Sequence, residues 1–287
     1  MKGKNLLWLL GLGLMVMAVG LVGCGAAIYE EIAYYDPNWL VDGRIMAVKD
    51  VIKHRSEGLP GYGRDITVSS AQYIVSMKDD GSEEKIIYGG EGKGIGIPVA
   101  SPLGDYIAYR SGQYINIITA DGTKEIKTID CGETPQAMDW ASDEAKMVFS
   151  GKDSQNLFVL SISNEGITKI ATSAAEVAWR VGDKITFDGS WVNIIDPTGT
   201  NQAILIDYSW NPQKRSANEI IYEGADGVYS IRIDKSQKTK LFSNYEISTL
   251  KLSFDGSKIV GGKIDQRIIT GIWVINIDGT NMRKLRD

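Results

Sequence analysis

"ASPLGDYIAY", residues 100–109, shows a layout that recurs along the chain. It opens on an apolar residue, passes through a polar turn and continues as a short apolar run. The same layout begins at five other positions, namely Trp39, Trp140, Trp179, Trp210 and Leu252. Successive openings are 61, 40, 39, 31 and 42 residues apart, so only the first unit is much too long. A spacing near 40 residues indicates an internal repeat.

A second block follows each opening. The six blocks all begin with an aromatic residue, at Tyr73, Tyr114, Phe158, Trp191, Tyr229 and Trp273. β-branched or alternating residues come next, then a turn that is often Asp-Gly, then a final short strand. Asp-Gly between alternating runs is a strong hairpin signal, because glycine adopts positive φ without strain. Each unit therefore predicts four strands over about 40 residues, which is the size of a propeller blade.

The repeat resembles that of the TolB-like β-propellers. "SPLGDYIAY" (101–109) and "LSFDGSKIV" (252–260) are its closest copies, and the resemblance covers residues 39–287. It implies an all-β fold, a six-bladed propeller of four-stranded antiparallel blades. TolB itself has a sizeable α/β domain before its propeller and is not a lipoprotein. Only fourteen residues separate Cys24 from Trp39. We therefore expect a member of the repeat superfamily and not TolB.

The aromatic residues of the repeat are predicted to form the core. A four-stranded blade cannot bury both faces alone, whereas neighbours arranged around an axis cover both. Tryptophan opens four of the six units, and with the strand-leading aromatics it is expected to fill the wedges between blades. Residues 24–38 are expected to be a lipidated tether or a closing strand. For residues 28–35 the tether is favoured.

The N-terminal segment, "MKGKNLLWLLGLGLMVMAVGLVGC", has a basic start and an apolar run over residues 6–22. This layout is typical of a secretory signal, here residues 1–23. Leu21 to Cys24 resemble the bacterial lipobox, which implies cleavage before Cys24 and lipid attachment to it. The alternative is an uncleaved anchor helix, although seventeen residues is the lower limit for a span. Either way, we expect a location in the cell envelope, facing the periplasm or the exterior.

The balance of charged residues limits the classes of partner that the protein can bind. There are 31 basic and 36 acidic residues, and without Lys2 and Lys4 of the leader 29 basic residues face 36 acidic ones, a net charge of −7. An acidic surface makes nucleic acid an unsuitable partner. Cys131 is the only cysteine besides Cys24, so no disulfide is expected within the chain, and Cys131 is predicted to be a small buried residue.

The sequence contains few residues that indicate catalysis or cofactor binding. The single histidine, His54, lies in "KHRSEGLPGYGR" and is predicted to be on an exposed loop. No G-x-S-x-G elbow accompanies it, and no Cys/His cluster suits zinc. "GGEGKGIG" (89–96) matches no nucleotide-binding spacing, and "KDDGSEE" (78–84) is interpreted as a solvated hairpin tip rather than a calcium loop. No cofactor and no metal is therefore predicted.

One positional argument predicts a surface. The insertion at residues 49–72, the stretch "KIDQRIITG" (263–271) and the 89–96 connection are all expected as loops on the same face. First and last blades become neighbours when the ring closes, so these loops should cluster. Elaborated loops on rigid scaffolds often carry function. The residues predicted to form a partner or anionic-ligand surface are Arg55, Tyr62, Arg64, Lys93 and Arg267.

The sequence predicts a membrane-tethered lipoprotein that binds an envelope protein or a glycan without chemistry. It would act as a monomer or as a subunit of a complex. A second hypothesis is an envelope hydrolase or lyase with a site in the central funnel, and two or more inward acidic residues at one end of the channel would favour it. A third is a purely structural subunit of a larger envelope complex.

Overall fold

A computed structural model describes residues 28–57, 64–181, 184–189, 191–243, 247–265 and 268–287. This part of the chain forms six antiparallel four-stranded sheets, each built from four consecutive strands. The first three blades comprise β1 (Ile28–Trp39), β2 (Ile45–Glu57), β3 (Arg64–Met77) and β4 (Lys85–Glu91); β5 (Gly96–Ala100), β6 (Tyr106–Ser111), β7 (Tyr114–Thr119) and β8 (Glu125–Asp130); β9 (Pro135–Trp140), β10 (Lys146–Gly151), β11 (Leu157–Ser161) and β12 (Ile167–Ala171).

The other three blades follow the same plan. They comprise β13 (Val177–Val181), β14 (Lys184–Asp188), β15 (Trp191–Ile195) and β16 (Ala203–Asp207); β17 (Trp210–Ser216), β18 (Glu219–Gly224), β19 (Gly227–Arg232) and β20 (Thr239–Phe242); β21 (Ile247–Leu252), β22 (Lys258–Asp265), β23 (Ile268–Asn276) and β24 (Arg283–Arg286). The predicted six-bladed, all-β propeller is confirmed. The expected signal or anchor helix and Cys24 lie outside the described residues, and within them no helix is long and apolar enough to cross a membrane.

The Asp-containing turns close the outer hairpins as predicted. A carboxylate oxygen of Asp121 accepts the N–H of Thr123 at 3.0 Å, and Asp278 accepts that of Thr280 at 2.9 Å. Such Asx turns fix the chain reversal locally. Gly122 has φ +72°, and a Cβ there would lie 1.9 Å from the carbonyl oxygen of Ile87 in blade 1. Glycine is thus needed both for the turn and for close contact between neighbouring blades.

Among the residues that the structure describes, the core consists of six apolar clusters, one at each junction between neighbouring blades. Trp39 and Trp140 are almost fully buried, and each donates its indole N–H to the innermost strand of the preceding blade. Trp140 reaches the carbonyl of Val99 at 3.1 Å, and Trp39 reaches that of Lys251 at 2.9 Å. Buried indole N–H groups require a partner, and here the partner joins two blades.

The prediction that tryptophan fills this position in four blades is wrong for blade 5. Trp39, Trp140 and Trp179 pair with Ile45, Met147 and Ile185 across the first hairpin. In blade 5 the corresponding partner, Ile220, pairs with Lys214. Trp210 instead begins β17 at the opposite end of the strand and is 46% exposed. Trp191 and Tyr114, expected between blades, are also about two-fifths exposed, at 40% and 41%.

The ring closes without exchange of a strand. Residues 28–35, expected as a tether or a closing strand, form the first part of β1 and pair with β2 in their own blade. Blades 6 and 1 are joined by a shared apolar cluster and by ion pairs. The 78–84 turn, interpreted as solvated, supplies two of these acids, because Asp79 pairs with Lys258 and Arg283 and Glu84 pairs with Arg286 at 3.0 Å.

The insertion at residues 49–72 is a sheet rather than a loop. β2 and β3 stay paired from Ile45↔Met77 to Glu57↔Arg64, and β1 pairs with β2 as far as Ile28↔Arg55. In β3 the apolar Ile66 and Val68 alternate with polar residues, whereas residues 49–57 show no such alternation and are held as a strand by pairing with β1 and β3. β22 and β23 also remain paired as far as Asp265↔Ile268. The predicted loop at residues 263–271 therefore belongs largely to two strands.

Candidate functional site

We call the face that carries the connections between successive blades and the turns between second and third strands the upper face. β1 begins and β2 ends on this face, so residues 28–35, 49–57 and 64–72 rise from it as a three-stranded sheet. We name this sheet the extension. β1 packs against β22 and β23 of blade 6, whose paired ends lie on the same face. Blades 6 and 1 are therefore neighbours, as expected, whereas the clustering of residues 49–72, 263–271 and 89–96 in one sector stays a prediction.

One side of the extension, the side that continues towards blade 2, carries a polar and aromatic set. The rings of Tyr29 and His54 are stacked at a centroid distance of 5.1 Å, and Tyr29 donates its hydroxyl to Asp65 at 2.7 Å. His54 Nε2 lies 3.3 Å from a carboxylate oxygen of Glu31. The prediction of an exposed loop histidine is wrong: His54 is a partly buried strand residue of β2.

The predicted partner residues do not all meet. Arg55 and Arg64 are exposed near the tip of the extension, in β2 and β3. Lys93 lies lower, since the neighbouring Gly92 donates its N–H to Ser70, six residues and thus roughly 20 Å along β3 from Arg64. There Lys93 contacts Tyr88 at 2.9 Å and Glu125 at 3.4 Å. Tyr62 and Arg267 lie outside the described residues, and the partner surface stays a prediction.

The central channel is narrow. It is lined by side chains from the innermost strands of all six blades, and its cavity of about 50 Å³ has room for a few water molecules. Its polar residues are Asn38, Asp139, Gln213, Lys214 and Lys251. Several of them join neighbouring blades: Asp139, for example, accepts the backbone N–H of Trp179 at 2.9 Å. The narrow part of the channel is therefore held together by hydrogen bonds between blades, and it has no room for a sugar ring.

Three carboxylates lie together at the upper ends of blades 4 and 5. Asp188 ends β14, is 3% exposed and accepts the backbone N–H groups of Glu176 (2.8 Å) and Asn211 (2.7 Å). Glu223 accepts the side-chain N–H of Asn211 at 2.8 Å. Glu176 lies 3.4 Å from the ammonium group of Lys251. The sequence did not identify this set, because the three acids come from two blades and follow no common spacing.

Burial makes two of these acids unusual. Burial raises the pKa of Asp188, although its two backbone hydrogen bonds oppose this effect. Burial also raises the pKa of Glu223, and the nearby charges of Glu176 and Asp188 act in the same direction. Clustered carboxyl groups with raised pKa values are a usual feature of acid–base sites, and they also occur in purely structural networks. The three carboxylates are therefore compatible with two roles, acid–base catalysis and a purely structural network.

Other chemistry is sparse in the described part of the chain. There, no three His, Cys, Asp or Glu side chains are grouped so that they could hold a metal ion. Cys131 is buried, as expected, and burial raises the pKa of its thiol to about 12. A thiol with so high a pKa has little thiolate at neutral pH and is a poor nucleophile.

Comparison with known structures identifies the architecture. TolB from Acinetobacter baumannii superposes with a TM-score of 0.60 at 11% sequence identity, covering 91% of this chain and 80% of that one. The chain has a TolB-like propeller fold. Two oligogalacturonate lyases are similar to it in fold. One, in complex with manganese, has a TM-score of 0.55 at 14% identity over 90% of this chain and 78% of that one. The other, from Vibrio parahaemolyticus, has a TM-score of 0.55 at 12% identity over 91% and 85%.

At these sequence identities the similarity between this chain and the three solved structures concerns the fold alone. No protein-family model and no curated protein matches the sequence. The structural neighbours include proteins described as TolB and proteins described as lyases, so they do not separate a binding role from catalysis. The predicted resemblance to the TolB-like repeat is confirmed, and function has to be argued from this chain's own residues.

Proposed function

We propose that the chain is an envelope lipoprotein, attached to a membrane through Cys24, whose propeller binds a protein or glycan without catalysis. The observation that carries this proposal is the extension. It is a rigid, paired sheet raised from the upper face, and it begins at Ile28, only four residues after Cys24. Four residues span at most about 14 Å. A lipid on Cys24 would therefore hold the tip of the extension near the bilayer.

The non-catalytic part of the proposal is supported by the channel and by the residues on the extension. The channel waist admits only a few waters, while the side chains of Arg55 and Arg64 are exposed on an ordered sheet. Exposed elements positioned by a rigid scaffold often carry the residues that bind a partner. The partner surface is proposed to comprise Arg55, Tyr62, Arg64, Lys93 and Arg267.

Two measurements test this function. Metabolic labelling with palmitate, followed by mass spectrometry of the mature N-terminus, should find an acylated Cys24 in the wild type and no label in Cys24→Ser. Crosslinking in native membranes should give one stoichiometric partner, which Arg55→Glu combined with Arg64→Glu should reduce. Retention of Met1 in the mature protein would contradict the lipoprotein. An unchanged crosslinking pattern after both charge reversals would contradict the surface.

The second candidate is an envelope lyase or hydrolase that acts at the upper mouth of the channel. The raised pKa values of Asp188 and Glu223, in two neighbouring blades, favour it specifically. A carboxyl group with a raised pKa can serve as a general acid or base near neutral pH. Purified protein incubated with oligogalacturonate should then yield unsaturated products, and Glu223→Gln should abolish them. Absence of turnover across a panel of envelope and plant-wall glycans would leave binding as the function.

A further inference from the structure

A cavity lies between blades 6 and 1 on the face opposite the extension. Because β1 begins on the upper face, the turn between the first and second strands of each blade, which we call the first turn, lies on the opposite or lower face. The cavity measures about 220 Å³ and is lined by residues 39–43 of blade 1 and residues 253–255, 257 and 258 of blade 6. We call it the lower pocket. It is formed by equivalent segments of two blades, at the point where the ring closes.

The equivalent gaps at the next two junctions are filled by the protein itself. A Cβ placed on Gly104, in the first turn of blade 2, would lie 3.5 Å from the side chain of Val41 in blade 1. Leu103 of the same turn donates its backbone N–H to a carboxylate oxygen of Glu144 in blade 3 at 2.7 Å. At these junctions adjacent first turns touch, whereas the first turns of blades 6 and 1 leave room for another group.

The floor of the lower pocket is apolar. Trp39 is 2% exposed and belongs to the apolar cluster shared by blades 6 and 1, and Phe254 packs against this cluster. Val41, at the edge of the pocket, is 42% exposed. An apolar group that entered the pocket would remove this surface from water, which is favourable in proportion to the area covered. The aromatic rings of the floor also suit edge-to-face or stacked contact with a further ring.

The rim of the lower pocket carries two carboxylates. Asp42 accepts the backbone N–H of Arg44 at 3.0 Å. Asp255 accepts the hydroxyl groups of Ser253 at 2.6 Å and of Ser257 at 2.8 Å. These bonds to Ser253 and Ser257 hold the pKa of Asp255 below its ordinary value, so the group is ionised at neutral pH. Backbone and hydroxyl donors are neutral, and the rim therefore keeps its negative charge.

The acidic character extends along the neighbouring first turns. Basic side chains that follow two of these turns are already paired, Lys258 with Asp79 and Arg44 with Glu83 at 3.7 Å. The tips of four first turns carry five acidic residues and no basic residue; these tips are residues 254–257, 41–43, 102–105 and 142–145. A strip of one sign of charge is complementary to a segment of the opposite sign.

The volume of the lower pocket limits what can enter it. An apolar cavity of roughly 150 Å³ holds a benzene ring, whereas pockets for drug-sized molecules measure about 300–1,000 Å³. At about 220 Å³ the lower pocket has room for one aromatic or branched aliphatic side chain and is too small for an oligosaccharide. Single side chains buried in such pockets dominate the binding energy of many protein interfaces.

We propose that the lower pocket binds one bulky apolar side chain of a partner protein, in a segment whose lysine or arginine residues lie over the acidic first turns. Leu103, which is 66% exposed in the adjacent turn of blade 2, extends the apolar surface for this segment. Because the floor of the pocket joins blades 6 and 1, the bound segment stabilises the closed ring. The site lies on the face opposite the extension, so it adds a second binding surface to the proposed function and does not depend on it.

The test uses the full chain in detergent and fluorescent peptides of alternating glycine and lysine around one central residue. Anisotropy should show binding of the peptides with a central phenylalanine or leucine, and binding about 10-fold weaker with a central alanine. The phenylalanine peptide should raise the melting temperature of the protein, and added NaCl should weaken its binding. The matching peptide with glutamate in place of lysine should not bind.

Two pairs of variants locate the site. Ser257→Trp places a large side chain in the lower pocket and should weaken binding of the phenylalanine peptide about 30-fold or more. Ala145→Trp is its matched control in blade 3 and should leave affinity unchanged, because Ala145 donates its N–H to Asp143 at 3.0 Å as Ser257 does to Asp255 at 3.0 Å. Asp42→Asn should weaken binding about 3- to 10-fold at low salt, and Asp143→Asn less than about 2-fold.

Ser257 and Ala145 are both exposed, so melting curves close to that of the wild type should show that the tryptophan variants are folded. Equal affinity for the alanine and phenylalanine peptides, equal loss in both tryptophan variants, or no binding of any peptide would each overturn the proposal. So would a dimer in analytical ultracentrifugation that Ser257→Trp dissociates, because a second copy of the chain would then occupy the pocket. None of these results bears on palmitate labelling or on crosslinking at Arg55 and Arg64, so the two proposals fail separately.

Discussion

Trp39 donates its indole N–H to the backbone carbonyl of Lys251 at 2.9 Å, across 212 positions of sequence. Trp140 makes the equivalent bond to Val99 within consecutive blades, over 41 positions. The same indole–carbonyl hydrogen bond thus joins blades 2 and 3 and also closes the ring at the junction of blades 6 and 1, which we call the seam. At the seam it is the repeat residue itself, and not an exchanged strand, that connects the last blade to the first.

Trp39→Ala is expected to reduce the free energy of unfolding by about 3–5 kcal/mol, because it leaves a cavity between blades 6 and 1 and removes the partner of the Lys251 carbonyl. Chemical denaturation followed by circular dichroism measures the change. Trp210→Ala is the matched control, since Trp210 is 46% exposed, and it should shift stability by no more than about 0.5 kcal/mol. Similar losses in both variants would contradict the assignment of Trp39 to the seam.

Glu84 is a second residue that joins blades 1 and 6 at the seam. It accepts hydrogen bonds from Lys49 (2.8 Å), Tyr34 (2.9 Å) and Arg286 (3.0 Å). Burial raises the pKa of Glu84, but these three donors outweigh it and the net pKa is lowered. Its contribution is therefore present above the ordinary glutamate pKa and is lost as pH falls through the lowered value.

Glu84→Gln should cost roughly 1–2 kcal/mol at neutral pH, discounted for partial exposure, and should make stability less sensitive to added salt. Denaturant titrations at low and high NaCl measure both effects. The comparison variant is Glu30→Gln, whose partner Lys53 lies 3.2 Å away on the exposed extension. A loss in Glu30→Gln as large as that in Glu84→Gln would show that the seam has no special weight.

Glu223→Gln should stabilise the protein at neutral and mildly alkaline pH. Burial raises the pKa of Glu223, so its ionised form is disfavoured in the folded state. Wild-type stability should therefore increase as pH falls through the raised pKa towards the ordinary value, and the glutamine variant should lack this increase. Glutamine retains the oxygen that accepts from Asn211. Thermal melts from pH 8 to pH 4 would contradict this account if both proteins gave parallel curves.

Shortening the extension should leave the propeller folded. Ile52 and Ser70 are paired across β2 and β3, so residues 53–69 can be replaced by Asn-Gly in a two-residue hairpin turn. Because residues 53–57 and 64–69, the removed residues that the structure describes, lie outside the six apolar clusters, the melting temperature should change by only a few degrees. The same variant should lose the crosslinked partner if Arg55 and Arg64 contact it. Loss of cooperative unfolding would show that the extension is part of the core.

The repeat made the fold predictable, and the prediction failed where a blade departs from the regular strand register. Trp140 and Trp179 were assigned correctly because their hairpins keep the common register. Trp210 was misaligned because β17 has two register shifts, one of them next to Asn211 with its positive φ. A sequence alignment of apolar residues has no signal for an irregular strand, so it matched the nearest tryptophan.

The extension was missed for a different reason. Polar residues around His54 are typical of a loop, although Val51 to His54 alternate on the two faces of a strand that is only partly buried there. When neither face is buried in the core, hydrophobic alternation is weak, and pairing is set by the partner strand. The upper carboxylates were likewise unpredictable, since Asp188 and Glu223 meet only through the arrangement of two neighbouring blades.

Closure by side chains places a demand on the order of folding. Blade 1 emerges from synthesis or translocation first, with Trp39, Ile45 and Val75 ready for a cluster whose other half, including Val260 and Val274, is more than 180 residues away. Long loops are slow to close, and uncovered apolar surface invites aggregation meanwhile. The apolar side of the first blade that faces blade 6 therefore stays uncovered until the last blade has formed.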